Sequence, residues 1–259
     1  MGSRLLGGTA SGMSLLCLTV CSAAAQSPTQ SFVARVLTSS TGVRMPYRLF
    51  VPASRARVLA LPLIVYLHGG GGAGTDNLKQ IAGGNLKGTH LWLRDDLQAE
   101  HPAFVVAPQA PTGAQWGSPN SDSLAPYARL VVELIHALTL EFAIDTGRLY
   151  LVGQSLGGRG VWDLITKRPH LFAAAVPLCG SGSPTRVAAA RGVPVWAFHG
   201  AKDVAVPVAG SRELVNALRE AGGIVRYTEY PDVGHDVWNH AFAEPELPEW
   251  LFMESRSRR

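Results

Sequence analysis

The chain has 259 residues, 47% of them hydrophobic and 16% charged, with a formal net charge of +4. That composition belongs to a folded globular protein and excludes a disordered or fibrous one. The charges are scattered, apart from Arg256, Arg258 and Arg259 at the end, and no basic stripe interleaves with aromatics, so nucleic-acid binding is not expected.

The first residues predict a Sec-type signal peptide over 1–25. Arg4 supplies a positive start, an apolar stretch follows from Met13 to Ala25, and Ala23-Ala24-Ala25 gives a small-residue cleavage site before Gln26. The stretch is too short for a spanning helix, and no later one is long and apolar enough. The expectation is a secreted or periplasmic protein, free of the membrane after signal removal, with 26–259 as a single domain. Cys17 and Cys21 would leave with the signal. Cys179 would then be the only thiol, in an apolar run that suits a buried structural cysteine rather than a nucleophile.

Phe32–Leu37 and Tyr47–Val51 flank Ser39-Ser40-Thr41-Gly42 and predict an opening hairpin. Pro62–Leu67 (PLIVYL) is a continuous apolar run of the kind found in a strand buried on both faces. Ala103–Ala107, Leu149–Val152, Ala173–Leu178 and Val193–Phe198 repeat that signature, and Val225–Tyr230 is a further strand candidate. Between these runs, Leu130, Val131, Leu134, Ile135 and Leu138 recur at helical spacing. Val161, Leu164 and Ile165 mark a second helix, ended by Pro169, and Leu214, Val215 and Leu218 a third, closed by Gly222-Gly223. Strands alternating with helices predict an α/β fold with a doubly wound, mostly parallel sheet behind an N-terminal antiparallel hairpin. The stretch from Pro108 to Pro126, rich in Pro, Gly and Ser, predicts a long loop at a strand end, the edge where such sheets bind ligands.

Gly153-Gln154-Ser155-Leu156-Gly157 matches G-x-S-x-G, with a strand running into it and a helix running out. This is the context the nucleophile elbow needs: a sharp turn that strains the serine backbone, excludes neighbouring side chains and lifts the hydroxyl to a helix N-terminus. Its partners should follow in the order acid, then histidine. Asp203 follows the strand at Val193–Phe198, and His235 follows the strand at Val225. A serine hydroxyl needs a base to take its proton, imidazole titrates near neutrality, and a carboxylate fixes the ring's tautomer. His240 is a rival base but falls in an apparent terminal helix, and Asp232 and Asp236 read as surface charge. His68 and His199, each before a glycine at a strand end, suit hydrogen bonding in the loops beside the site.

His68-Gly69-Gly70-Gly71-Gly72 follows the first central strand. Its backbone can approach a substrate closely, so an oxyanion hole is expected from the N–H of Leu156 and that of Gly70 or Gly71. A phosphate cradle would want Lys and Ser/Thr after the glycines, and neither follows. Trp116 and Trp238 are candidate walls of the substrate cleft, and Gln154 a candidate contact beside the serine. No H-x-x-x-H or Cys–His cluster has ligand spacing, so no metal or cofactor is expected.

The segments Tyr66–Asn77, Leu149–Leu164, Val193–Val208 and Tyr230–Phe242 resemble the α/β-hydrolase superfamily. They are similar in particular to small polyhydroxybutyrate depolymerase-like and feruloyl esterase-like enzymes, dienelactone hydrolases and prolyl oligopeptidase catalytic domains. The resemblance implies Ser155, Asp203 and His235 as a triad, with Gly70 and Leu156 as oxyanion donors. It departs from many secreted members in having no disulfide in the mature chain, and from prolyl oligopeptidases in having no propeller or large cap. The expected activity is hydrolysis of a small-molecule or polymer carboxylic ester through an acyl-enzyme. The alternatives are a serine peptidase on the same residues, or a non-catalytic binding protein on the same scaffold.

Overall fold

A computed structural model of the chain describes residues 1–2, 31–53 and 60–256. The segment read as a signal peptide, beyond its first two residues, lies outside the described residues. Eight strands form one sheet in the order β1-β2-β4-β3-β5-β6-β7-β8. They are β1 (Val33–Thr38), β2 (Arg44–Phe50), β3 (Leu61–Leu67), β4 (Phe104–Pro108), β5 (Ile144–Gln154), β6 (Ala174–Leu178), β7 (Val195–Gly200) and β8 (Val225–Tyr230). β2 pairs antiparallel with β1 and with β4, and every other neighbouring pair is parallel. The hairpin and the doubly wound sheet are therefore both present as the sequence predicts.

The helices are α1 (Leu86–His90), α2 (Asp95–Glu100), α3 (Pro126–Glu141), α4 (Leu156–Lys167), α5 (Ala209–Glu220), α6 (Trp238–Ala241) and α7 (Leu247–Met253). Alternation along β3 shows how they cover the sheet. Leu63, Val65 and Leu67 join one core with Val131 of α3, Val161 of α4 and Leu214 of α5. Ile64 and Tyr66 join a second core with Trp92, Trp196 and Leu251 of α7. Both faces of the central strands are thus buried, which is why those strands read as unbroken apolar runs. Among the described residues no helix is long and apolar enough to cross a membrane.

One element departs from the sequence expectation, and one segment carried none. β5 starts at Ile144, well before the apolar run at Leu149. Its first residues are polar, and Asp145 satisfies them locally, accepting from the Gly147 N–H at 2.8 Å and from Arg148 at 2.6 Å. The segment between Lys79 and Glu100, which shows no period, folds as one-turn helices, including 3-10 turns at Lys79–Ile81, Gly83–Asn85 and Leu91–Leu93.

Candidate active site

β5 delivers Ser155 directly to the start of α4. The serine holds φ 54 and ψ −114, a conformation that L residues avoid and that surrounding structure must impose. The turn is imposed by contact. A Cβ on Gly157 would stand 1.9 Å from the Leu67 carbonyl oxygen, and one on Gly153 would stand 2.7 Å from the Gly157 backbone. The Ser155 N–H is held by the Leu178 carbonyl at 2.9 Å, tying the elbow to β6.

The loops after β7 and β8 bring the acid and the base to this turn. His235 Nε2 lies 2.9 Å from Ser155 Oγ, and His235 Nδ1 lies 2.7 Å from Asp203 Oδ2. A carboxylate beside Nδ1 places the ring proton there and leaves Nε2 as the acceptor for the serine hydroxyl. Asp203 Oδ1 accepts from the N–H groups of Ala205 and Val206, both at 2.9 Å. Burial pushes the Asp203 carboxyl up, but the Val206 N–H, the His235 ring and the Ala205 N–H outweigh it and hold the group below the usual carboxylate range. A second histidine touches the same oxygen: His199 Nε2 is 3.2 Å from Asp203 Oδ2 and 2.9 Å from the Val206 carbonyl. Two acceptors facing Nε2 require the proton there, and the Ser211 hydroxyl sits 2.7 Å from Nδ1. The ring is fully buried, and that burial lowers its pKa, so His199 stands neutral and donates to the Val206 carbonyl, with Asp203 Oδ2 alongside.

The rival residues lie elsewhere. His240 is in α6 with its ring packed on Tyr230. Asp232 pairs with Lys202 at the surface, and Asp236 accepts from Asn239. Cys179 is buried beside Asp203 and His235, and burial pushes its thiol well above the ordinary value, the opposite of an activated nucleophile.

The glycine loop forms a 3-10 turn at Gly70–Gly72, in which Gly72 and Ala73 donate back to the carbonyls of Gly69 and Gly70. The Gly69 N–H is taken by Asn85 Oδ1 at 2.9 Å. Among the described residues, no hydrogen bond engages the N–H of Gly70, Gly71 or Leu156. Gly70 and Gly71 line a cleft of about 310 Å³ together with Ser155, His235 and Trp238.

The matched segments of known proteins run through this geometry. The dienelactone hydrolase family profile matches residues 128–250, a stretch that contains Ser155, Asp203 and His235. A protein of Methylorubrum extorquens, provisionally named a carboxymethylenebutenolidase, is 33% identical over 128 residues, which is 44% of each chain. A crystal structure of a thermostable esterase superposes with a TM-score of 0.83 at 39% identity, over 88% of this chain and 64% of that one. A ferulic acid esterase structure shares the fold at 18% identity and a TM-score of 0.64, covering 86% of this chain and 96% of that one. The chain has the α/β-hydrolase fold. It spans less than half of the curated relative and under two thirds of the thermostable esterase chain.

Within this fold, the remaining candidates divide. Trp238 lines the cleft, its ring edge-on to His235 at 5.5 Å and close over Gly84. Trp116 does not line it: the side chain is fully buried, its Nε1–H donates to the His68 carbonyl at 3.1 Å, and its ring packs on the His68 imidazole. The loop after β4 turns inward there, so the indole supports the glycine loop from below. Gln154 lines the cleft as well. It is 3% exposed at the cleft floor, where Oε1 accepts from the Tyr66 hydroxyl at 2.6 Å and Nε2 donates to the Gly84 carbonyl at 3.1 Å. It braces the cleft floor while lining it. Tyr66 and Asn85 complete that brace and have no sequence motif to announce them.

His68 pins the glycine loop from its other side. Nδ1–H donates to the Gly69 carbonyl at 2.7 Å, and Nε2 accepts from the Ala110 N–H at 3.0 Å. Burial lowers its pKa from 6.5 to about 4. A protonated ring would turn Nε2 from acceptor to donor and break the Ala110 bond. The folded pKa is depressed, so the unfolded chain binds more protons between the two values, and stability falls as pH drops from 6.5 toward 4. The expected loss is on the order of 3 kcal/mol. Urea unfolding at pH 7 and at pH 4 checks it, and His68→Gln should remove that share of the slope.

Proposed function

We propose that this protein is a serine hydrolase that cleaves carboxylic esters through an acyl-enzyme, and that it works outside the cytoplasm. The reading is carried by the hydrogen-bonded run from Asp203 through His235 to Ser155, set beside backbone N–H groups left without partners. Ser155 Oγ attacks the ester carbonyl while its proton passes to His235 Nε2. Asp203, held ionised by its hydrogen bonds, stabilises the imidazolium. The developing oxyanion meets the Leu156 N–H and that of Gly70 or Gly71, and each such donor is worth about 10²–10³ in rate. His235 returns the proton to the leaving alcohol, and water then repeats the sequence on the acyl-enzyme.

Esters are favoured over peptides because, among the described residues, no Asp or Glu lines the two hollows described at Ser155 to hold a peptide amine. The similarity to a thermostable esterase supports the same choice. The extracytoplasmic setting rests on the N-terminal sequence pattern alone. Protein lacking residues 1–25 is expected to release p-nitrophenol from short-chain esters, to act poorly on aminoacyl p-nitroanilides, and to be labelled by a fluorophosphonate. Absence of both turnover and labelling would overturn the proposal, and faster cleavage of the anilides would replace it with a peptidase.

A further inference from the structure

Two hollows meet at Ser155. The cleft already described contains His235, Trp238 and the glycine loop. The second, of about 190 Å³, is lined by Gln115, Ser155, Leu156, Arg159, Ser181 and Val206. If Ser155 attacks an ester as proposed above, the leaving oxygen must come within reach of His235 Nε2, since that group returns the proton. The alcohol side then occupies the cleft that His235 borders, and the acyl chain is directed into the second hollow.

That hollow contains one charged side chain, Arg159, and no acid. Arg159 stands in the first turn of α4, where unpaired backbone N–H groups add positive potential. It is half-buried, and Gly117 fixes its stem: a Cβ on Gly117 would lie 3.3 Å from Arg159 Cγ. Among the described residues it makes no ion pair, and its guanidinium has only a long 3.5 Å contact to Gln115 Oε1. By contrast, Arg186 and Arg212 are each paired with a carboxylate. A guanidinium offers five donors in a fixed fork and accepts nothing, so its natural complement is a planar anion.

We propose that the second hollow is the acyl pocket and that Arg159 selects short acyl groups ending in a carboxylate, the monoesters of dicarboxylic acids. The inference rests on the ester-hydrolase reading and adds a substrate class to it. The test compares monoethyl glutarate with ethyl pentanoate, which has the same chain length and no charge. A charge-assisted hydrogen bond is worth about 1.5–3 kcal/mol, so kcat/KM should favour the monoester by about ten- to a hundredfold. The preference should shrink as salt is raised. In Arg159→Gln the ratio of the two values should collapse to near one, and Arg159→Lys should retain part of it. Each variant is scored by its own ratio, so a general loss of activity does not imitate the result. If Arg159→Gln fails to fold, the wild-type ratio of monoethyl glutarate to its uncharged carboxamide analogue makes the same decision. A wild type that prefers the neutral ester, or a glutamine variant with an unchanged ratio, overturns the inference while leaving the esterase reading intact. No hydrolysis of either ester, with no fluorophosphonate labelling, overturns the underlying reading instead.

Discussion

Replacing Ser155 with alanine is expected to lower kcat on an ester on the order of 10⁶-fold, about 8 kcal/mol of transition-state stabilisation. The size follows from how completely the other groups depend on this hydroxyl. His235 Nε2 has Ser155 Oγ as its partner at 2.9 Å, and without that oxygen the base has nothing to activate. The variant should still bind substrate and retain a small residual rate, because backbone N–H groups at Gly70, Gly71 and Leu156 would remain. Asp203→Asn should cost less, about 10⁴-fold, by allowing the wrong imidazole tautomer while preserving the shape of the site. Steady-state kinetics on one p-nitrophenyl ester, with thermal midpoints to show that both variants fold, check the series. A Ser155→Ala protein within tenfold of wild type would remove this residue from the chemistry.

Gly157→Ala should do its damage before any substrate arrives. The added methyl would sit 1.9 Å from the Leu67 carbonyl oxygen, 2.6 Å from its carbon and 2.9 Å from the His68 oxygen. All three are backbone atoms at the end of β3, where no side chain can swing aside. Either α4 moves off the sheet or β3 loses its register, and both disrupt the buried contacts of Leu67 and Val161. A destabilisation above about 4 kcal/mol is expected, enough to lower the thermal midpoint by roughly 10 °C or leave the protein insoluble. Gly192→Ala is the control, since its added Cβ would meet nothing within 4 Å. Differential scanning calorimetry of the two variants separates close approach from a general intolerance of glycine substitution.

The two cases also show what a sequence can disclose. Gly153, Ser155 and Gly157 are legible because the elbow compresses a steric requirement into five consecutive residues. The strands are legible because burial on both faces leaves unbroken apolar runs such as Leu61–Leu67. Asp203 and His235 are legible through chain order and their positions after strands. Where meaning depends on a distant partner, legibility ends. Asn85, Tyr66 and Gln154 become a brace only when β3, β5 and the one-turn helices come together. Trp116 misleads for the same reason: an aromatic residue in a polar loop suggests a cleft wall, and only the inward fold of the loop reveals a support for His68. His199 carries a partial signal in its place before Gly200, but its contact with Asp203 depends on how the loop after β7 closes.

The position of β8 at the sheet edge has a consequence in time. It is the last of the described strands in chain order, and His235 follows it, 80 residues after Ser155. At about 5–20 residues per second, synthesis leaves roughly 4–16 s in which Ser155 has been made and His235 has not. Throughout that interval the nascent protein is latent. Its hydroxyl has no proton acceptor, so esters in the compartment of synthesis meet an inert serine. Order of translation alone would thus delay the proposed activity until His235 is made.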